Sequence, residues 1–219
     1  MEVHRHLDEE LDELRNSVLR LGREAENALR RALHSLAERD TSEAREVLNH
    51  DDAIDQIEVE VDRRAIDIFA LRQPAARDLR FVMSVTKMAP VIERIADHAC
   101  NIARAAIDLN TEPELNNHIR IDQMGEIAVS MLAAALDAFT RSDTAAAREV
   151  IKRDSEMNNL YNQIFHDLIE LMAREPETAS RDARLLFVAK HLERIGDYVT
   201  DICELTVYMA EAAIIKHRR

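Results

Sequence analysis

Tryptophan is absent from this 219-residue chain, and aromatic residues make up only 4% of it. Because 47% of the residues are nevertheless hydrophobic, the core has to be built from aliphatic side chains. The chain also contains only three glycines and four prolines, which leaves little turn chemistry for a sheet of many strands. We therefore expect an all-α protein.

Charge and hydropathy exclude two classes of partner. The formal net charge of −13 repels a phosphate backbone, and no basic run with interleaved aromatics is present, so we expect no nucleic-acid binding. No apolar run approaches the ~20 residues of a membrane helix, and the N-terminus has no signal-peptide pattern. Cys100 and Cys203 fit neither a disulfide framework nor a zinc pattern, so we expect buried thiols in a cytoplasmic protein.

The chain repeats its landmarks in the same order at an offset of roughly a hundred residues, the mark of an internal duplication. The repeated phrases are DTSEAREVLNHD (40–51) and DTAAAREVIKRD (143–154), RDLRFV (77–82) and RDARLLFV (181–188), and ERIADHACNI (93–102) and ERIGDYVTDI (193–202). A polar linker, NTEPELNNH, spans residues 110–118. We predict two domains, 1–110 and 111–219.

Apolar residues in each half recur in steps of three and four, which indicates amphipathic helices. Each half holds three such stretches, and the phrases RQP (72–74) and REP (174–176) separate the second stretch from the third. The predicted fold is therefore two tandem three-helix bundles, six long helices in all, related by internal pseudo-two-fold symmetry. Pro90 should bend the third helix.

The third helix of each bundle carries oxygen ligands one turn apart beside its apolar face. They are Glu93, Asp97 and Asn101 in the first half and Glu193, Asp197 and Asp201 in the second. The second helix adds Asp51, Asp55 and Glu58, spaced by four and three. Such oxygens can hold Mg, Mn, Fe or Zn ions. The equivalent stripe of the second half is diluted, since it contains Tyr161 and Phe165.

A simpler interpretation stays open. Carboxylates four residues apart are ordinary on exposed helices of a chain with 42 acidic residues, and Arg94 and Arg194 can pair with them in weak surface ion pairs. Duplication would copy any helix face, functional or not. His98 and His191 lie near the repeated phrases and can act as ligands, but a solvated position on the helix surface is the expected one.

No catalytic constellation stands out. A ferritin-like di-iron site requires Glu-x-x-His, but Ala96 and Gly196 occupy the third position after the two glutamates. We therefore expect no enzymatic activity. Two alternatives remain: a metal-dependent phosphohydrolase that uses the acidic cluster of the first bundle, and a purely structural dimeric bundle with empty acidic faces.

Two long segments carry a family resemblance. LRQPAARDLRFVMSVTKMAPVIERIADHACNIA (71–103) and FVAKHLERIGDYVTDICELTVY (187–208) resemble the PhoU family of bacterial phosphate uptake. The resemblance covers essentially the whole chain and includes the tandem arrangement with its paired E-x-x-x-D helices. It implies two three-helix bundles, commonly assembled into a homodimer.

The resemblance also implies a function. Members of the family act as negative regulators of the phosphate-starvation response, linking the ATPase subunit of the phosphate ABC transporter to a membrane sensor histidine kinase. Membrane association would then arise only through these partners. Some members carry Fe, Zn, Mg or Mn on their E-x-x-x-D surfaces, which makes Glu93, Asp97, Glu193 and Asp197 candidate ligands, with Asn101 and Asp201 as extensions.

Overall fold

The computed structural model describes residues 2–113 and 120–215 and places six long helices in this part of the chain. The first three are α1 (Glu2–Ala37), α2 (Thr41–Arg72) and α3 (Ala76–Leu109). The second three are α4 (Ile121–Arg141), α5 (Thr144–Arg174) and α6 (Ala179–Glu211), with a short 3₁₀ turn at Pro176–Thr178. The described residues contain no strand, and the prediction of an all-α fold is confirmed.

The repeated phrases supply matching helix starts and stops. Asp40 caps α2 by accepting hydrogen bonds from the backbone N–H groups of Ser42 and Glu43, and Asp143 caps α5 through Ala146, as short acceptors do at helix N-termini. Both proline phrases fall where they were predicted, between α2 and α3 and between α5 and α6. Helix α3 continues through Pro90, and its bend stays a prediction.

Each helix buries one aliphatic face in the core of its bundle. The predicted apolar faces are buried, including those of α1 (Leu14, Val18, Leu21), α3 (Val85, Met88, Ile92) and α6 (Val188, Leu192, Ile195). Both cysteines are fully buried, as expected. Among the described helices, none is long and apolar enough to cross a membrane. The predicted domain division at residue 110 stays a prediction, and residues 114–119 lie outside the described part.

The two bundles pack through α3 against α6 and α1 against α4. The third helices run antiparallel over most of their length, since His98 faces His191 and Tyr198 near the middle while Arg184 of α6 reaches Asp108 at the end of α3. His98 and Tyr198 hold the same position in the two repeated phrases. The pseudo-two-fold axis therefore passes close to this ring pair.

The first helices approach each other at two glycines. Leu136 of α4 lies on Gly22 of α1, 2.6 Å from where a Cβ would be, and Leu33 of α1 lies on Gly125 of α4 at 2.8 Å. The offset that relates Asp40 to Asp143 also relates these two contacts. We call them the glycine notches. Each bundle thus inserts a leucine into the equivalent notch of the other.

Arginines fix the start of the linker between the bundles. Arg39, in the loop before α2, donates to the carbonyl oxygens of Leu109, Asn110 and Glu112. These include carbonyls at the end of α3, which lack partners within the helix. Arg181, near the start of α6, donates to the Pro113 carbonyl at 3.0 Å. Groups from both bundles therefore hold residues 109–113.

We predict that Gly22→Val lowers the free energy of unfolding by about 1–3 kcal/mol, the usual cost of overpacking. Helix propensity does not oppose the change, because valine is a better helix former than glycine. The loss would come from the overlap of the new side chain with Leu136. Urea unfolding followed by circular dichroism measures it.

The same substitution in a Leu136→Ala background is the matched control. Removing the leucine side chain leaves space for the valine, so Gly22→Val should cost clearly less there. Equal costs in the two backgrounds would show that the notch does not depend on contact with this leucine.

Candidate functional site

Five carboxylates predicted as ligands lie together on the α2–α3 side of the first bundle. Asp51, Asp55 and Glu58 come from α2, and Glu93 and Asp97 come from α3, which packs against α2. Apolar residues on the same helices orient them. Ile54 and Val61 of α2 and Ile92 and Ile95 of α3 are buried in the core. We call this group the first acidic cluster.

Mutual repulsion is strong in the first acidic cluster. Partial burial, followed by the charges of Asp97, Asp55 and Glu58, raises the pKa of Glu93 to about 7, although Arg94 lowers it in part. Burial and neighbouring carboxylates also raise the pKa of Asp55 and of Glu58. These charges are thus close enough to penalise one another, which a bound cation would offset.

Two hydrogen bonds already engage predicted ligands at the edge of the first acidic cluster. The buried Cys100 thiol donates to Asp51 Oδ1 at 3.3 Å, and burial followed by this contact raises the pKa of Cys100 to about 12. The thiol is therefore protonated and holds one carboxylate oxygen. Asn101 Oδ1 accepts from Arg104 at 2.9 Å, so the predicted extension of the strip is already hydrogen-bonded.

In the second bundle, the predicted ligands Glu193 and Asp197 of α6 have basic partners. Glu193 accepts from Lys190 at 2.5 Å, and Asp197 accepts from Arg194 at 3.2 Å. Burial and Glu193 raise the pKa of Asp197, while Arg194 and Lys190 lower it. Lys190 also lies 5.1 Å from the ring centroid of Tyr161. Basic side chains therefore already compensate this strip.

Asp201, the last predicted ligand, follows Asp197 by one turn of α6. It lines a cavity of about 330 Å³ between α3 and α6, together with Lys87, Val91, Glu204 and Tyr208. The wall of this cavity combines charged and apolar groups, unlike the all-oxygen surroundings expected for a hard cation. The last position of the predicted strip in the second bundle therefore borders this mixed cavity.

The donor set of the first acidic cluster fits a hard or borderline cation chemically. Within residues 2–113 and 120–215, however, no three His, Cys, Asp or Glu side chains already converge on a point where they could hold an ion. A cation there would have to draw the carboxylates inward by side-chain rotation. The second strip fits less well, because its acids have basic partners. The assignment of all nine residues as metal ligands stays a prediction.

The predicted position of the two histidines is wrong. His98 and His191 are half-buried between the bundles, with their Nδ1 atoms 2.8 Å apart. Burial, followed by the charge of Arg194, lowers the pKa of His98. Burial and His98 lower the pKa of His191 to about 4. Helical spacing alone does not reveal that a second bundle covers this face.

Sequence reasoning also missed Lys190 as a partner of the second strip. The signal was present, since Lys190 precedes Glu193 by three residues and side chains at that spacing meet on a helix. Its second contact, with Tyr161 of α5, follows only from the packing of α5 on α6.

Comparison with known proteins identifies the family. The protein-family model described as "PhoU domain" matches the chain twice, over residues 18–106 and 121–206. The chain belongs to the PhoU family. Both bundles are thus PhoU domains, and the family resemblance of the two long segments is confirmed.

Relatives with the PhoU name match almost the whole chain. A phosphate-specific transport system accessory protein PhoU homolog from Aquifex aeolicus is 36% identical over 97% of this chain and 96% of its own length. The homolog from Pseudomonas aeruginosa is 32% identical over 98% of this chain and 89% of its own length. These relatives are named as accessory proteins, and the prediction that the chain is not an enzyme is confirmed.

Solved PhoU structures share the fold. The crystal structure of PhoU from Pseudomonas aeruginosa matches with a TM-score of 0.91 and 33% identity, covering 94% of this chain and 99% of that one. The phosphate transport system regulatory protein PhoU from Streptococcus pneumoniae matches with a TM-score of 0.89 and 32% identity, covering 95% and 99%. The tandem bundle described above is therefore the PhoU fold.

We predict that Glu93→Gln stabilises the metal-free protein at pH 8 and has little effect at pH 5. The pKa of Glu93 is higher in the folded chain, about 7, than its ordinary value of 4.5. Its protonation therefore favours folding below pH 4.5, and this contribution is lost as pH rises through 7. Allowing for solvent screening of a partly exposed group, the expected gain is about 1 kcal/mol.

Urea unfolding at both pH values, with a chelator present, measures this difference. Glu156→Gln is the control, because Glu156 is an exposed glutamate on α5 outside the acidic cluster. A Glu93→Gln gain that is the same at pH 5 and pH 8 would contradict the raised pKa.

Proposed function

We propose that this chain is an accessory protein of phosphate uptake and a negative regulator of the phosphate-starvation response. The observation that carries the proposal is the PhoU domain match in both halves, together with relatives named as phosphate-specific transport system accessory proteins over nearly the whole chain. In this role it acts in the cytoplasm as a homodimeric adaptor. Its partners are the ATPase subunit of the phosphate ABC transporter and a sensor histidine kinase.

The proposal includes bound metal ions. Five carboxylates from two packed helices, with raised pKa values at Glu93, Asp55 and Glu58, support a cation in the first bundle. Mg, Mn, Fe or Zn would neutralise part of this charge, since carboxylate oxygens are ligands for each. The ion would then shape the acidic face that meets a partner. The ion pairs of Lys190 and Arg194 make the second bundle the weaker site in this proposal.

The metal-dependent phosphohydrolase considered from the sequence is not proposed. Its one support was the acidic cluster, and the relatives of this chain are named as accessory and regulatory proteins instead. An acidic cluster by itself does not supply a nucleophile or a general base in a defined position.

Deleting the gene for this chain should switch on a phosphate-starvation reporter during growth in high phosphate. A negative regulator is then absent, so the kinase signals starvation although phosphate is plentiful. Reporter fluorescence in the deletion strain, with and without a restored copy of the gene, measures the effect. A reporter that stays silent in a strain without a second PhoU gene would contradict the regulatory role.

Removing the first acidic cluster should lower the metal content of the purified protein. We expect Glu93→Gln combined with Asp97→Asn to lose most of the bound metal, because both oxygen donors of α3 become neutral amides. Elemental analysis of protein purified without added ions measures the content per chain.

The equivalent change in the second bundle is the matched control. Glu193→Gln combined with Asp197→Asn should leave most of the metal in place. Equal metal content in the wild type and both double variants would remove metal binding from the proposal while leaving the reporter experiment unaffected.

A further inference from the structure

Two imidazoles meet where α3 of the first bundle packs on α6 of the second, an interface that we call the seam. His98 comes from α3 and His191 from α6, and their Nδ1 atoms lie 2.8 Å apart. The ring centroids are 5.0 Å apart with an interplanar angle of 47°. Both side chains are half-buried, so the packed helices fix their positions while one side of the pair stays accessible to solvent.

The contact requires a lone pair on one of the two nitrogens. In a hydrogen bond between two Nδ1 atoms, one nitrogen donates its proton and the other accepts it. Both rings can therefore be neutral, which is the form of histidine that binds metals. The two nitrogens also face each other directly across the seam, at 2.8 Å.

This spacing is close to that of two imidazoles on one metal ion. With Zn–N bonds of about 2.0–2.1 Å and tetrahedral angles, two ligand nitrogens lie about 3.3–3.4 Å apart. Moving the donor ring's proton from Nδ1 to Nε2, and separating the two Nδ1 atoms by roughly 0.5 Å, converts the hydrogen-bonded pair into a chelating pair in which both rings stay neutral. Rotation of two side chains can supply this change without moving either helix.

We propose that His98 and His191 together bind one borderline transition-metal ion of the Zn²⁺, Cu²⁺ or Ni²⁺ class at the seam between the two bundles. Imidazole nitrogen favours these metals, whereas carboxylates favour hard cations. Water completes the coordination, because no third His, Cys, Asp or Glu in the described residues is placed to join an ion. The site is therefore separate in position and chemistry from the acidic clusters.

The ion would connect the two halves of the protein. Each half contributes one ligand, so the complete site exists only while α3 and α6 are packed together. Binding to the folded form alone raises its stability according to the free metal concentration. At about one hundred times the dissociation constant, the rise in Tm for a chain of this length would be roughly 5–10 °C.

Cu²⁺ titration of the chelator-treated full chain tests the proposal. The protein carries Glu93→Gln and Asp97→Asn, which removes donors of the first acidic cluster. Electron paramagnetic resonance should then show one Cu²⁺ coupled to two nitrogens, and the Tm should rise and fall back with chelator. Each single change, His98→Gln or His191→Gln, should abolish both effects.

Two exposed histidines provide matched controls. His6→Gln and His166→Gln change residues outside the seam, so both should keep the two-nitrogen signal and the Tm rise. Circular dichroism confirms that each variant is folded, and the spectrum of the Glu93→Gln/Asp97→Asn parent does not depend on the histidine variants. Absence of two-nitrogen coupling in the Glu93→Gln/Asp97→Asn parent, or seam variants that keep it, would show that the pair is a hydrogen bond only.

Discussion

The packing of the two bundles against each other, at the glycine notches and along α3 and α6, is the constraint on which their shared features depend. Leu136 lies on Gly22 and Leu33 lies on Gly125, so each bundle contributes one glycine and one leucine to the two contacts. A side chain at either glycine would overlap the facing leucine, which would have to shift. The bundles also meet where α3 packs on α6. The histidine pair, the contacts of the linker and the cavity beside Asp201 each use residues from both bundles.

Duplication kept the frame and changed the chemistry on its surface. The capping aspartates, proline stops and glycine notches recur in both halves. The acidic stripe does not, since Tyr161 and Phe165 stand where the first bundle has acids, and Lys190 compensates Glu193. The glycine at position 196, where the first half has Ala96, also has a packing reason. A Cβ at position 196 would lie 3.2 Å from Met157 Cγ. The acidic face of the first bundle thus concentrates negative charge, whereas the equivalent face of the second bundle carries acidic, basic and aromatic side chains.

This asymmetry gives the two halves different electrostatic surfaces. The first acidic cluster carries repulsion that a cation can relieve, while the second strip is compensated by side chains of its own bundle. A partner that approaches the two bundles therefore meets unlike surfaces on a nearly symmetric frame. Symmetry positions the two faces, and side-chain chemistry distinguishes them.

Most of the fold was predictable because it depends on local patterns. Steps of three and four placed residues such as Val85, Met88 and Ile92 on the buried face of α3, and the repeated phrases indicated the duplication. The candidate site was predictable in part: spacing placed Glu93 beside Asp97 on α3, and the helical wheel placed Asp55 beside Glu58 on α2. That the two pairs meet is a consequence of how α2 packs on α3.

The sequence by itself determined the helices, the tandem bundles, the buried cysteines and the residues that form each acidic strip. Only the tertiary structure decided that His98 and His191 face each other, that Asp201 lies in a cavity and that the glycines are contact points between bundles. The physical reason is the range of the interactions. Helix periodicity and capping act over a few residues, whereas these three features depend on which faces of distant helices exclude water together.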